Sequence, residues 1–297
     1  MKINGVFAAS ITPLKNDFSP DLDALPGYLD FLASRGCHGA LLLGTTGEGP
    51  SFSPEQRIDI LKVALEVHQV WPEFQLLAGT GTPSLDETEG LTKAVFDLGF
   101  DGAVILPPYY FRASEEDGLF SWYKRVLERS VPTGGVVLAY HIPAVSGVPL
   151  SLNLLSGLRE AYPEKFLGLK DSSGDPELAV KLGNRFGNDF HVFTGNDRLF
   201  SLALENGASG CITATANLIS PDLRNLWDAF QAHKPSIEIQ ERINFVRETL
   251  EVFPPFPPLI KFLLTRFYNF PLWPVCPPLS PISKETQDRV STKLDLA

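Results

Sequence analysis

Eight short apolar runs recur along the chain with helical patterns between them, and this alternation constrains the fold more than any other feature. The runs cover 5–9, 40–43, 75–78, 102–106, 135–140, 166–170, 191–194 and 210–212. Each is nearly continuous in apolar residues, as expected for a strand buried on both faces. The segments between them carry apolar residues at helical spacing. One opens at Ser53, with Pro54 in the first turn and Gln56 three residues on, the pattern of a capping box. Its apolar residues Ile58, Leu61, Leu65 and Val67 mostly keep the helical period. Segments 86–98, 114–127, 151–160 and 175–182 read the same way. Eight strands alternating with helices over about 220 residues predict a (β/α)8 TIM barrel. An open doubly wound sheet is the alternative, but no Gly-x-Gly-x-x-Gly turn follows the first strand.

Beyond residue 212 the pattern changes. Segments 222–233, 237–253, 258–267 and 283–294 read as helices with no strand between them. The expected organisation is therefore a barrel over 1–220 and a C-terminal helical extension over 221–297, packed on the barrel. Two proline-rich stretches, 253–258 and 271–281, act as joints and should be extended.

Composition excludes several function classes. The chain has 297 residues, 44% of them hydrophobic, enough for one large core. No run of 18 or more apolar residues is present, so no membrane span is expected. The start enters an apolar strand without signal-peptide architecture. The three cysteines, Cys37, Cys211 and Cys276, are too scattered for a disulfide framework or a zinc site. A reducing cytoplasm is the expected location. The net charge of −10, with no basic block, disfavours nucleic acid as a partner. It leaves small acidic substrates open, because a local cationic pocket can sit inside an acidic protein.

In a barrel of this kind the C-terminal strand ends carry the chemistry. Lys170 closes the sixth apolar run and is followed by Asp171-Ser172-Ser173-Gly174. A buried ammonium is costly unless paired, and desolvation lowers a lysine pKa toward the range of a nucleophilic amine. The structural alternative is a strand-capping lysine paired with Asp171. The second run ends in Gly44-Thr45-Thr46-Gly47-Glu48-Gly49, a turn whose hydroxyls and backbone N–H groups suit a carboxylate, or an ordinary polar turn. The fifth ends in Tyr140-His141-Ile142-Pro143, where the phenol suits proton transfer or simple packing. The fourth ends in Tyr109-Tyr110-Phe111-Arg112, an aromatic cluster typical of a core or an interface. The seventh ends in Thr194-Gly195-Asn196-Asp197, and the eighth carries Ile212-Thr213.

Together these motifs resemble the pyruvate-dependent class I aldolases of the dihydrodipicolinate synthase and N-acetylneuraminate lyase superfamily. The resemblance rests on Gly-Thr-Thr-Gly-Glu at 44–48, Tyr-x-x-Pro at 140–143, Gly-x-Lys-Asp at 168–171 and Thr-Gly-Asn-Asp at 194–197. It implies that Lys170 forms the Schiff base, that Tyr140 moves protons, and that Thr45 and Thr46 hold the pyruvate carboxylate. It also implies that Tyr110 enters a neighbour's site across a tight dimer interface, in a homodimer or homotetramer. Gly195 and Ile212 match positions whose backbone lines the site. No metal or organic cofactor is implied, since the imine itself is the electron sink.

The second substrate is expected to be a small aldehyde, or a keto sugar acid in the cleavage direction. A dihydrodipicolinate synthase of this type carries an arginine where this chain has Val145. Sialic acid lyases carry a glutamate where it has Arg198. The strings around 44–55 and 107–111 are most similar to 2-keto-3-deoxygluconate aldolases. Ser172 is a candidate contact for a sugar-acid hydroxyl, and Arg198, if it faces the pocket, for an anionic or polyhydroxy aldehyde. The alternatives are dihydrodipicolinate synthesis, a family dehydratase, a keto-acid-binding sensor barrel, and a scaffold barrel in which Lys170 is only an ion-pair partner.

Overall fold

The computed structural model describes residues 3–187 and 190–296. Eight parallel strands follow one another in chain order and close into a barrel. They are β1 (Gly5–Ala9), β2 (Gly39–Leu42), β3 (Gln75–Gly79), β4 (Gly102–Ile105), β5 (Val137–His141), β6 (Phe166–Asp171), β7 (His191–Thr194) and β8 (Gly210–Thr213). All eight match the apolar runs to within a residue or two at each end. Nearly every strand residue is buried, which is why the runs are apolar without alternation.

The helices are α1 (Leu25–Ser34), α2 (Pro54–Ala64), α3 (Leu85–Asp97), α4 (Glu116–Ser130), α5 (Pro143–Ser146), α6 (Leu152–Ala161), α7 (Pro176–Phe186), α8 (Phe200–Glu205), α9 (Ala216–Gln231), α10 (Ile237–Glu251), α11 (Phe256–Tyr268) and α12 (Lys284–Lys293). The capping box of α2 forms as expected. Gln56 N donates to Ser53 Oγ at 3.3 Å, and Ser53 N donates to Gln56 Oε1 at 3.0 Å. Ser151, Asp175 and Ser283 cap α6, α7 and α12. Three helices are not legible in the sequence pattern, among them α5, which has only 4 residues. α1 carries Pro26 and Gly27 in its first turn and has no capping side chain, so its start looks like a loop. α8 has only 6 residues, too few to show a period.

The chain divides into two compact units, one of 1–4 and 75–211 and one of 5–74 and 212–297. The first holds β3 to β7 with α3 to α8. The second holds β1, β2, α1, α2 and α9 to α12. The boundary expected at residue 220 falls inside α9, which is kinked at Ile219 (φ −119°) ahead of Pro221. Its first turn is bound to β1. Asn217, fully buried, donates from Nδ2 to Ala9 O (2.9 Å) and accepts at Oδ1 from Tyr28 Oη (2.5 Å) and Ile11 N (3.3 Å). The C-terminal helices thus belong with the first two strands.

In this same unit His38, just ahead of β2, accepts at Nδ1 from Val6 N at 3.0 Å. Burial, aided by the Arg224 charge, lowers its pKa from 6.5 to about 4. The unfolded chain therefore takes up this proton first as the pH falls. The stability due to neutral His38 is complete above about 6.5, declines below it and is lost by about 4. Melting temperature should fall across that window, and His38→Gln should flatten the slope. Equal slopes in the two proteins would remove His38 from the account.

Candidate functional site

β5 and β6 run in a register that pairs Tyr140 with Lys170 and His141 with Asp171. A bulge sets that register. Val137 pairs with Phe166, but Leu138 pairs with Gly168, so Leu167 is the extra residue on β6. Without the slip, Tyr140 would oppose Leu169 and the side chains would face opposite ways. Gly168 is also required by its surroundings. A Cβ there would collide with His191 O and with Leu138 Cδ2, so only glycine lets β6 lie this close to its neighbours.

The result is a close approach of Lys170 and Tyr140. Lys170 is 3% exposed and Tyr140 6%. The Lys170 Nζ lies over the Tyr140 ring, 4.2 Å from its centroid. This contact orients the amine; for an ammonium such a contact is worth about 0.5–2 kcal/mol. No ion pair joins Lys170 to Asp171 among the described residues. The reason is strand alternation: neighbouring residues face opposite sides. Asp171 lines a small cavity with Ala179 and Leu182 of α7 and Ala203 of α8. Its carboxylate accepts from Ser173 N (3.0 Å) and Ser173 Oγ (3.1 Å). The structural alternative for this lysine, a pairing with Asp171, is therefore not formed.

His141 and Asp171 form a layer behind Tyr140 and Lys170. Burial pushes the Asp171 carboxyl up, against the bonds from Ser173 and the His141 charge. Burial pushes His141 down, against the Asp171 charge. The His141 Nδ1 accepts from Leu150 N at 3.1 Å. Nothing in the sequence singles this layer out, because each residue there is the neighbour of something more distinctive.

β7 brings in Gly195. Its N–H donates to Asp171 O at 2.6 Å, and Ser172 N donates to His141 O at 2.7 Å, so the ends of β5, β6 and β7 are tied in sequence. Ser172 Oγ occupies the place a Cβ on Gly195 would need, so a larger residue there would have to displace the Ser172 side chain. Lys170, Tyr140, Ser172 and Gly195 are thus brought together. Arg198 is exposed on the short 3-10 turn Asp197–Leu199, where its N–H donates to Asn196 Oδ1 at 3.2 Å. Tyr110 is 75% exposed and Phe111 72%, packed edge to face with 5.2 Å between ring centroids. Val145 is 54% exposed in α5.

Thr45, Thr46 and Ile212 belong to the other unit. Thr46 and Ile212 are buried and Thr45 is exposed. The turn that carries the threonines is held tightly. Leu43 (φ 58°) and Glu48 (φ 55°) both adopt left-handed backbone, at a cost of about 1–2 kcal/mol each for residues with a Cβ. Thr12 Oγ1 donates to Gly47 O at 2.7 Å, and Glu48 N donates to Thr45 O at 3.2 Å. Glu48 itself forms a fully buried ion pair with Lys261 of α11, at 2.6 Å. The sequence offered a hint of that pair, a lysine within an otherwise apolar helix face, but no means of matching it to Glu48. Among the described residues no group of three or more His, Cys, Asp or Glu side chains is placed to hold a metal ion.

The sequence profile of the Dihydrodipicolinate synthetase family matches residues 2–297. The chain belongs to that family. Among its relatives in the dihydrodipicolinate synthetase family is an uncharacterized DapA-like lyase of Chloroflexus aurantiacus. It is 38% identical over 282 residues, covering 95% of this chain and 92% of the relative. A 4-hydroxy-tetrahydrodipicolinate synthase of Ehrlichia canis is 32% identical, covering 78% of this chain and 76% of that protein. The solved dihydrodipicolinate synthase of Agrobacterium tumefaciens superposes with a TM-score of 0.89 at 28% identity, covering 98% of each chain. The protein is accordingly a lyase of the dihydrodipicolinate synthetase family with the (β/α)8 barrel of its relatives. No helix among its described residues is long and apolar enough to cross a membrane.

Proposed function

We propose that this chain is a Schiff-base aldolase that joins pyruvate to an aldehyde, or cleaves the corresponding 2-keto-3-deoxy sugar acid. The observation that carries the reading is the Lys170 amine, buried, held over the Tyr140 ring at 4.2 Å and in no ion pair with its neighbour Asp171. The amine lone pair adds to the pyruvate carbonyl carbon, and water leaves to give the protonated imine. Loss of a methyl proton gives the enamine, whose carbon attacks the aldehyde. Water then releases product and restores the amine. Tyr140 transfers protons to and from the carbinolamine hydroxyl and the aldehyde oxygen. Thr45 and Thr46 hold the pyruvate carboxylate, and the backbone at Gly195 and Ile212 lines the site. The imine supplies the electron sink, so the reaction needs no metal or organic cofactor. The three free cysteines fit a reducing cytoplasm.

Val145 sets the acceptor. It offers no donor for a second carboxylate, and a charge-assisted hydrogen bond of that kind is worth about 1.5–3 kcal/mol. Ser172 and Arg198 instead suit a polyhydroxy aldehyde. The competing reading, dihydrodipicolinate synthesis from aspartate semialdehyde, is favoured by the names of several relatives, including the 32% identical Ehrlichia protein. A dehydratase or a sensor would show imine formation without carbon–carbon turnover. The test compares kcat/KM for glyceraldehyde and aspartate semialdehyde in the natural protein and in Val145→Arg. Glyceraldehyde should be preferred, and the arginine should shift preference toward aspartate semialdehyde. Efficient use of aspartate semialdehyde by the natural protein would overturn the acceptor assignment and leave the imine chemistry standing.

Assembly belongs to the same proposal. Tyr110 and Phe111 expose large aromatic surface on one loop, the mark of a contact face. Tyr110 is assigned to the proton relay of a neighbouring subunit in a homodimer or homotetramer. Sedimentation of a fully active monomer would remove that role.

A further inference from the structure

Glu48 stands at the end of the turn that carries Thr45 and Thr46, and its side chain reaches into the C-terminal segment. Oε1 accepts from Lys261 Nζ at 2.6 Å and Oε2 from Cys276 N at 2.7 Å. Lys261 Nζ donates a second bond, to Pro274 O at 2.7 Å. Both charged side chains are 0% exposed. Burial lowers the Lys261 pKa, and the Glu48 charge opposes that shift. The Glu48 backbone is left-handed and its N–H closes the turn onto Thr45 O. A non-glycine residue holds such a conformation only where its surroundings over-determine it. Here the surroundings are α11 and the proline-rich stretch at 271–281, and they act on the side chain of the residue that shapes the turn.

We propose that the Glu48–Lys261 pair is a positioning device for the pyruvate-carboxylate anchor. It holds Glu48 in its left-handed conformation and so sets the turn that presents Thr45 and Thr46. The inference rests on the reading of those threonines as the anchor. It assigns a task to the C-terminal helices: the Lys261 end of the pair is delivered by α11, and Pro274 and Cys276 complete its hydrogen bonding. Replacing both partners separates this role from mere stability. Deleting Lys261 alone would strand a buried carboxylate and destabilise the fold for that reason only. The double variant Glu48→Leu/Lys261→Met leaves no buried charge and keeps a Cβ on residue 48, so the left-handed backbone loses what holds it.

The experiment is steady-state kinetics of this folded double variant with pyruvate varied at saturating aldehyde. The KM for pyruvate should rise about tenfold or more, as expected when one charge-assisted hydrogen bond to the substrate is weakened, while kcat at saturating pyruvate stays within about threefold. A cycle with Thr46→Val adds a readout that a structural role would not move. If the pair acts through the anchor, its removal in the Thr46→Val background should add little to the KM already raised. Lys261→Arg, which keeps the charge and displaces it, should show the same KM-only shift, and it serves if the double variant does not fold. An unchanged KM in a folded variant, a loss confined to kcat, or full additivity with Thr46→Val would each overturn the proposal. Failure of the natural protein to form an imine with pyruvate would instead strike the underlying reading, so the two failures are distinguishable.

Discussion

Lys170→Met is expected to lose carbon–carbon turnover by at least about 10³-fold while the protein folds as well as before or better. Methionine keeps the apolar stem and deletes the amine. Lys170 is 3% exposed and makes no ion pair with Asp171, so methionine in its place removes a polar group from a buried site without stranding a charged partner there. A melting temperature equal to or above that of the natural protein, with turnover lost, is the outcome that separates a nucleophile from a structural lysine. A clear fall in melting temperature with activity retained would mean that the lysine serves the barrel and the chemistry lies elsewhere.

Tyr140→Phe should divide the reaction at a different point. The ring beneath the Lys170 amine stays, so the 4.2 Å approach that orients Nζ is preserved. Only the hydroxyl is removed. Pyruvate should still be captured as an imine, more slowly, while kcat falls by about 10²- to 10⁴-fold, the range of a positioned general acid–base. The two variants thus make opposite forecasts for the adduct: none in Lys170→Met, persistent in Tyr140→Phe. Turnover within a few-fold of normal in Tyr140→Phe would reduce the tyrosine to a packing residue.

Much of this architecture is visible in the chain before it folds, and the reasons are local. A strand buried on both faces must be apolar throughout, so all eight can be counted. The capping box at Ser53 announces α2 because its two bonds join residues three apart. What escapes depends on partners far away in sequence. α1 begins with Pro26 and Gly27 and becomes a helix because Leu25, Tyr28, Leu29 and Leu32 bury one face. The pattern of α9 starts at 222 because Pro221 looks like a beginning, although the helix crosses it through a kink at Ile219. The strand ends are legible as a set of unusual residues, but their pairing is not. That Lys170 meets Tyr140 follows from the bulge at Leu167, and nothing in a run of apolar residues marks which one is left unpaired. The Glu48–Lys261 pair spans 213 positions, and nothing in the sequence matches the lysine in the apolar face of α11 to its partner.

The most direct test of the account is borohydride trapping with pyruvate alone, followed by peptide mapping. Hydride reduces the imine to a stable secondary amine and freezes the site of attachment. A pyruvate-dependent adduct is expected on the peptide containing Lys170, with complete loss of that adduct in Lys170→Met and its survival in Tyr140→Phe. An adduct on a different lysine, or no adduct under conditions where the protein turns over, would contradict it.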